Sequence, residues 1–129
     1  MAKIRSLVFA AMSITGFSEL SFAHHSYADY ERDERYEFTG TVTDIFWGNP
    51  HILFDVSNGT EVMRIEWVTT AGADKTGVAQ QQIEAGDQLT VIGSRNRNPD
   101  VHTMTVIKEL SMPAKNWQWI SPSVGGKQL

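Results

Sequence analysis

The sequence contains no cysteine, and this absence excludes several kinds of chemistry. No disulfide can stabilise the fold, so stability has to come from packing and hydrogen bonds. A thiol nucleophile, a CxxC redox pair, an iron–sulfur cluster and a cysteine zinc site are excluded as well. Metal binding is therefore left to carboxylates, methionines and the four histidines, His24, His25, His51 and His102.

Motifs that mark common enzyme classes are also missing. There is no GxSxG nucleophile elbow, no HExxH zinc motif, no phosphate-binding glycine loop and no dinucleotide fingerprint. The carboxylates on the predicted strands are most simply explained as solvated surface groups. We therefore expect a binding or accessory protein rather than an enzyme, and least of all a hydrolase.

The chain lacks an apolar run of the roughly 20 residues that cross a bilayer. Its longest run, residues 7–17, follows the basic residues Lys3 and Arg5 and precedes Ser21-Phe22-Ala23. This order is typical of an export signal that is cleaved after Ala23. An uncleaved membrane anchor is the alternative. We expect a periplasmic or secreted protein without a membrane span after cleavage.

Basic residues are too few for a nucleic-acid-binding surface. Removal of residues 1–23 lowers Lys+Arg from 11 to 9 and Asp+Glu from 15 to 14, which gives a formal charge of −5. Nucleic-acid binding normally requires a basic patch, so we do not expect a nucleic-acid partner. The mature chain has the size of one domain.

Alternation of apolar and polar residues predicts five short β-strands, at about residues 37–47, 52–56, 61–69, 88–94 and 102–110. Asn58-Gly59 suits a tight hairpin turn between the second and third strands, and the composition of residues 70–85 predicts one or two helical turns. This strand count and order match an all-β, five-stranded OB-like partly open barrel with a short helical insert between strands 3 and 4. A small sandwich or an open meander fits the same pattern.

The alternation also predicts which side chains face the core. In the first strand it places Phe46 on the same face as Phe38 and Val42, and in the fifth it places Val106 on the same face as Met104.

The predicted organisation has four parts, namely a signal peptide at 1–23, an irregular lead-in at 24–36, the barrel at 37–110 and an irregular aromatic tail at 111–129. The lead-in is polar and shows no period. The tail contains two prolines and two glycines, which disfavour a regular element of any length.

Several fragments resemble a family of small exported bacterial proteins of unknown function. They are Ala-His-His-Ser at 23–26, Thr39-Gly40-Thr41-Val42, the corner Trp47-Gly48-Asn49-Pro50-His51, and the turn Ala85-Gly86-Asp87. The resemblance runs from about residue 20 to residue 110, and residues 72–83 and the tail depart from the family's pattern. It implies export and a small β-rich domain, and it implies no particular activity.

Cleavage after Ala23 would make His24 the amino terminus, and this creates a candidate metal site. The α-amine and imidazole of a terminal histidine can chelate one metal, and a second histidine completes a three-nitrogen site that suits Cu(II). His51 is the favoured second histidine because it follows a stiff proline corner, and His25 and His102 are further candidates. An oxidase or oxygenase activity is conceivable only if this copper site exists.

The histidines also have simpler explanations. The terminal pair can serve only to keep the cleavage site accessible, and His51 can cap a turn. Zinc would need help from carboxylates, so copper fits the nitrogen ligands better.

The tryptophans, Trp47, Trp67, Trp117 and Trp119, support two further hypotheses. OB-type barrels bind linear ligands on aromatic platforms, so a glycan, a peptide or a small apolar molecule is a candidate ligand. Core packing of Trp47 and Trp67 is the simpler interpretation. Trp117 and Trp119 share one face of an extended segment, which can dock on the barrel itself or on a protein of an exported envelope or redox complex.

The signal assignment predicts the mass of the mature protein. Intact-mass spectrometry of material from a host that exports the protein is expected to show a chain that begins at His24. A mass that includes residues 1–23 would show a retained leader. A start at any other residue would remove the amine and imidazole that the copper hypothesis requires.

Overall fold

The computed structural model describes residues 27–30 and 35–125. The predictions for the signal peptide, for cleavage after Ala23 and for His24 and His25 lie outside these residues. The strands are β1 (Tyr36–Phe46), β2 (Leu53–Ser57), β3 (Val62–Glu66), β4 (Gln88–Arg95), β5 (Thr103–Met112) and β6 (Trp117–Ile120). The helices are α1 (Thr70–Lys75) and α2 (Pro122–Gly125), and 3-10 turns lie at Tyr27–Asp29, Gln80–Gln82 and Pro113–Lys115.

Five of the strands form a closed mixed barrel. Antiparallel pairs join β1 to β2 and β4, β2 to β3, and β4 to β5. A short parallel pairing of β3 with β5 closes the ring, with Arg64 opposite Thr103 and Ile65 opposite Met104. The predicted OB-like five-stranded barrel is confirmed, and α1 is the helical insert between β3 and β4.

The inward side chains of the barrel strands form one apolar core. The buried residues of the barrel include Phe38, Val42, Phe54, Val56, Met63, Ile65, Leu89, Val91, Met104 and Leu110. Full burial of a side chain of this size contributes about 1.5–3 kcal/mol. The segment around α1 closes one end of the core with Ala73, Val78 and Ile83. Gly40 of β1 is required by a close approach, because a β-carbon there would overlap the carbonyl group of Ser57.

The helix α1 begins where the sequence provides a cap. Thr69 Oγ1 accepts a hydrogen bond from Gly72 N at 3.0 Å, which satisfies one of the free amide groups of the first turn. Asn49 Oδ1 accepts hydrogen bonds from the backbone N and the hydroxyl of Thr70, both at 3.2 Å. The proline corner before β2 is therefore fixed to the start of the helix. No helix in the described residues is long and apolar enough to span a bilayer.

A β-bulge in β1 changes the predicted inner face of that strand. The register with β2 shifts between Val42 and Asp44, and one extra residue reverses the alternation of side chains. Ile45 packs against the core, whereas Phe46 is 53% exposed. The prediction that Phe46 faces inward is wrong for this reason.

A second irregularity lies in β5, where four residue steps of β5, from 109 to 105, oppose two of β4, from 92 to 94. The register with β4 shifts between Ile92 and Ser94, and Val106 adopts a left-handed φ of 49°. Val106 is exposed and Ile107 is buried. The prediction that Val106 shares the inner face with Met104 is therefore wrong as well.

The tail is regular where an irregular segment was predicted. Residues 111–112 complete β5, Asn116 reverses the chain with a left-handed φ of 50°, and β6 pairs antiparallel with β5. Pro113 lies in the turn and Pro122 follows the strand. The prolines therefore delimit β6 and do not prevent it.

The strand β6 belongs to the core. Trp119 is 5% exposed, packs edge-to-face on Trp67 with ring centres 5.1 Å apart, and donates from Nε1 to Thr76 Oγ1 at 3.1 Å. Because β3 pairs with β5 only at residues 103–104, β6 fills the position beside the other half of β5.

Removal of the Trp119 ring is expected to destabilise the fold strongly. Trp119→Ala should lower the free energy of unfolding by about 3–5 kcal/mol, as measured by chemical denaturation, because a large buried ring is lost. Trp117→Ala on the same strand is the matched control, since Trp117 is only partly buried. Equal losses for the two variants would contradict the assignment of β6 to the core.

An ion pair fixes the β5–β6 turn to the connection before β4. Lys115 Nζ lies 2.7 Å from Asp87 Oδ2, which also accepts a hydrogen bond from Glu84 N at 2.8 Å. Partial burial alone would raise the pKa of Asp87, but the hydrogen bonds from Lys115 and Glu84 and the charge of Lys115 outweigh it and lower this pKa.

Asp87→Asn is expected to lower the free energy of unfolding by about 1 kcal/mol at neutral pH. A lowered pKa in the folded state means that ionised Asp87 stabilises the fold above about pH 4, and that this contribution disappears as the pH falls through the lowered pKa. Denaturation curves of the variant and the wild type should therefore converge at low pH. Glu84→Gln is the control, because Glu84 is exposed and 3.9 Å from Lys115. A difference that is independent of pH would contradict the assignment.

Candidate functional site

The N-terminal segment is fixed to the connection between β4 and β5. Tyr30 is 3% exposed, forms a β-bridge with Asn96, and its Oη is hydrogen-bonded to Thr103 Oγ1 at 2.9 Å. Arg97 N donates to the carbonyl oxygen of Asp29 at 2.7 Å. The described part of the predicted irregular lead-in thus contains a 3-10 turn and a buried anchor, and the anchor contacts the first residue of β5.

His102 directly precedes this contact and faces a carboxylate. Its carbonyl oxygen accepts a hydrogen bond from Arg64 N at 2.9 Å, so its backbone belongs to the junction of β3 and β5. Its imidazole Nδ1 lies 3.5 Å from Glu61 Oε2, and its side chain is 43% exposed. The β3–β5 junction therefore brings His102 and Glu61 to ion-pair distance.

The turn between β2 and β3 positions Glu61. Asn58 Oδ1 accepts hydrogen bonds from Thr60 N and Glu61 N, both at 2.9 Å, and Asn58 N donates to the carbonyl oxygen of Glu61 at 3.2 Å. Gly59 has a φ of 91°, as the Asn-Gly turn requires. This turn therefore holds the Glu61 backbone at the end of β3 that lies beside His102.

Arg95 approaches the same carboxylate from β4. Its Nη2 lies 3.8 Å from Glu61 Oε2, and its Nη1 donates to Tyr36 Oη at 3.1 Å. Sequence reasoning missed Glu61 and Arg95 as site residues, because it interpreted strand carboxylates as solvated groups. The parallel pairing that brings β3 beside His102 has no local signal in the sequence.

The structure places His51 away from His102. Ile52 N donates to the carbonyl oxygen of Val68, so His51 lies level with Val68, beyond the end of β3. His102 lies level with Arg64, within β3. Four residues separate these levels, which corresponds to about 13 Å along a strand. In the part of the chain that the structure describes, no three histidine or carboxylate residues form a group that could hold a metal ion.

The tryptophans form a packed cluster and not an exposed platform. Trp67 is 4% exposed and lies between Trp47, Trp119 and Phe54, with ring-centre distances of 6.2, 5.1 and 5.6 Å. Trp67 Nε1 is buried and has no hydrogen-bond partner in the described residues. Trp47 and Trp117 keep part of their surface exposed, and Trp117 borders a shallow open cavity beside the β5–β6 turn.

An ion pair between a basic and an acidic side chain lies on the outer face of β2 and β3. Arg64 binds Asp55 through two hydrogen bonds of 2.9 Å, and this contact raises the pKa of Arg64. The pair borders a small cavity with Asp44, Phe46 and Leu53. Because the guanidinium is already paired, this cavity offers an anionic ligand no free positive charge.

Comparison with known proteins identifies a family and gives no activity. The comparison with curated proteins gives no match. A family model, described as a family of unknown function, matches residues 12–106, a range that includes all four histidines, Glu61 and Arg95 and ends before β6. The chain therefore belongs to DUF6152, a family of unknown function.

Proposed function

We propose that this protein is an exported module that binds Cu(II) between the amino terminus of the mature chain and His102. The observation that carries the proposal is the docking of Tyr30 on Thr103, the neighbour of His102. This contact fixes Tyr30, which follows His24 in the sequence, beside the residue after His102, and the His102 imidazole faces the carboxylate of Glu61.

The length of the chain supports this arrangement. His24 precedes Tyr27 by three residues, which span at most about 11 Å when extended. The turn Tyr27–Asp29 is hydrogen-bonded to Arg97 in the β4–β5 connection. The chain length therefore limits how far His24 can lie from Tyr27, and the levels of His51 and His102 are about 13 Å apart along the strands. The geometry favours His102 over His51 as the second histidine, and His25 is a further candidate ligand.

The ligands in this proposal suit Cu(II). The His24 amine and imidazole form a chelate, and His102 Nε2 supplies a third nitrogen. A terminal amine has an ordinary pKa of about 7.7–8.0, so its deprotonation costs little near neutral pH. Glu61 beside His102 Nδ1 corresponds to the carboxylate that commonly orients a metal-binding imidazole. The chemistry supported here is metal binding, and no further reaction is assigned.

Isothermal titration with Cu(II) tests the proposal on mature protein that begins at His24. We expect about one Cu(II) per chain, and an electron paramagnetic resonance spectrum with nitrogen ligands. An alanine added before His24 should abolish this site, because it removes the chelate. His102→Ala should weaken binding at least about tenfold, since one nitrogen ligand is lost.

His51→Ala is the matched control, and its dissociation constant is expected to stay within about twofold of the wild type. Unchanged binding after the added alanine would overturn the proposal. Loss of binding in His51→Ala with full binding in His102→Ala would overturn the assignment of His102.

A second candidate function is interaction with another exported protein, and one observation favours it. Among the described strands β6 pairs on one side only, and Ile120 on this strand is 49% exposed. Trp119 is buried, so a partner would contact Ile120 and Trp117 instead. A mature protein that binds no Cu(II) and whose partner is lost after Ile120→Asp would favour this function over metal binding.

A further inference from the structure

We propose that Asn58 deamidates in the folded protein, in a reaction that the β2–β3 turn promotes. Its side-chain amide is lost as ammonia, and the residue becomes an aspartate or an isoaspartate. The reaction needs no metal and no partner protein, and its only co-reactant is water. It is therefore independent of the copper proposal, because it occurs whether or not the protein binds a metal.

Asn58 has the least hindered neighbour of the five asparagines in this chain. In deamidation, the backbone nitrogen of the next residue attacks the side-chain carbon Cγ and closes a ring, so a side chain on that next residue obstructs the approach. The next residue is Gly59, and apart from its chain neighbours no group lies within 4 Å of where its β-carbon would be. The other asparagines precede a proline, which has no N–H, or a large side chain, at Asn49, Asn96, Asn98 and Asn116.

The two reacting residues are accessible to water. Asn58 and Gly59 are both exposed in the turn between β2 and β3, and Gly59 has a left-handed φ of 91°. Gly59 N donates to the side-chain Oγ of Ser57 at 3.2 Å and not to a carbonyl oxygen of the sheet. The attacking nitrogen is therefore outside the β ladder, whose backbone hydrogen bonds would hold it in place.

The turn also activates the amide that is attacked. Asn58 Oδ1 accepts hydrogen bonds from Thr60 N and Glu61 N, both at 2.9 Å. Attack on Cγ moves negative charge onto Oδ1, and two preorganised N–H donors stabilise such an oxyanion. Because the folded turn holds both donors in place, the denatured chain lacks this stabilisation. We therefore expect the fold to promote the reaction.

The reaction balances with water as the only reagent. The lone pair of Gly59 N forms a bond to Asn58 Cγ, and solvent takes the proton of this nitrogen. The bond from Cγ to Nδ2 then breaks, and Nδ2 accepts a proton from solvent and leaves as ammonia. Water next opens the ring. Attack at Cγ gives aspartate, whereas attack at the backbone carbonyl carbon gives isoaspartate, in which the chain continues through the side chain. No atom is oxidised or reduced, and each product carries one additional negative charge.

The two products affect the turn differently. Aspartate keeps an oxygen at the position of Oδ1, so the hydrogen bonds from Thr60 N and Glu61 N become charge-assisted. Isoaspartate adds one carbon atom to the backbone, beside the hydrogen bond from Asn58 N to the carbonyl oxygen of Glu61. The hairpin therefore accommodates aspartate without a change of backbone, whereas isoaspartate disturbs the end of the β2–β3 pairing.

Mass spectrometry of the folded protein, incubated at mildly alkaline pH, tests this inference. We expect a gain of about 1 Da per chain, which peptide mapping assigns to Asn58. Labelling by an isoaspartyl methyltransferase measures the isoaspartate fraction. The same incubation of urea-denatured protein gives the reference rate, and the folded protein is expected to convert Asn58 at least as fast.

Two controls identify the reacting residue. Asn58→Asp already carries the product and should gain no mass. Asn96 is the control within the wild-type chain, because its Oδ1 also accepts a backbone hydrogen bond, from Asn98 N at 2.9 Å, but the next nitrogen, Arg97 N, donates to the carbonyl oxygen of Asp29 at 2.7 Å. Asn96 should keep its amide. Slower conversion of Asn58 in the folded than in the denatured protein, or conversion of Asn96 before Asn58, would overturn the inference.

Discussion

The parallel contact between β3 and β5 closes the barrel and also creates the candidate site. It consists of the pairing of residues 64–65 with residues 103–104 and of the hydrogen bond from Arg64 N to the carbonyl oxygen of His102. The same contact brings the end of the β2–β3 turn, with Glu61, beside His102. Tyr30 then attaches the N-terminal segment to Thr103. Without this junction, Glu61, His102 and Tyr30 would not be held close to one another.

The pairing of β3 with β5 is so short that β3 leaves the second half of β5 without a partner on this side. Strand β6 of the tail pairs there instead. The irregularity at Val106 turns this side chain outward. Trp119 then buries its ring against Trp67. Because the family match ends at residue 106, this cover comes from chain outside the matched range. The second half of β5 and the whole of β6 thus lie beyond the matched range.

Local patterns predicted the barrel well, since alternation, the Asn58-Gly59 turn and the composition of residues 70–85 all act over short distances. The errors arise where a local irregularity of the backbone turns a side chain to the other face of its strand. Neither the bulge before Phe46 nor the left-handed backbone of Val106 interrupts the apolar pattern of the sequence, so the pattern does not reveal them. The β5–β6 hairpin was missed because Pro113 was interpreted as a breaker, although it lies within the turn.

The candidate site was less predictable than the fold. The four histidines can be read from the sequence, but their grouping depends on long-range pairing of strands. The prediction of His51 as a ligand rests on its rigid corner, whereas the pairing of β3 with β5, which brings Glu61 beside His102, has no local signal in the sequence. Glu61 and Arg95 carry no motif, and their relation to His102 exists only after the barrel closes.

The most direct test is a crystal structure of the mature protein with Cu(II), in which the metal is located by anomalous scattering at the copper edge. This account predicts one strong peak within bonding distance of both the His24 amine and His102 Nε2. A peak at His51, or a His24 amine without metal and remote from His102, would contradict it.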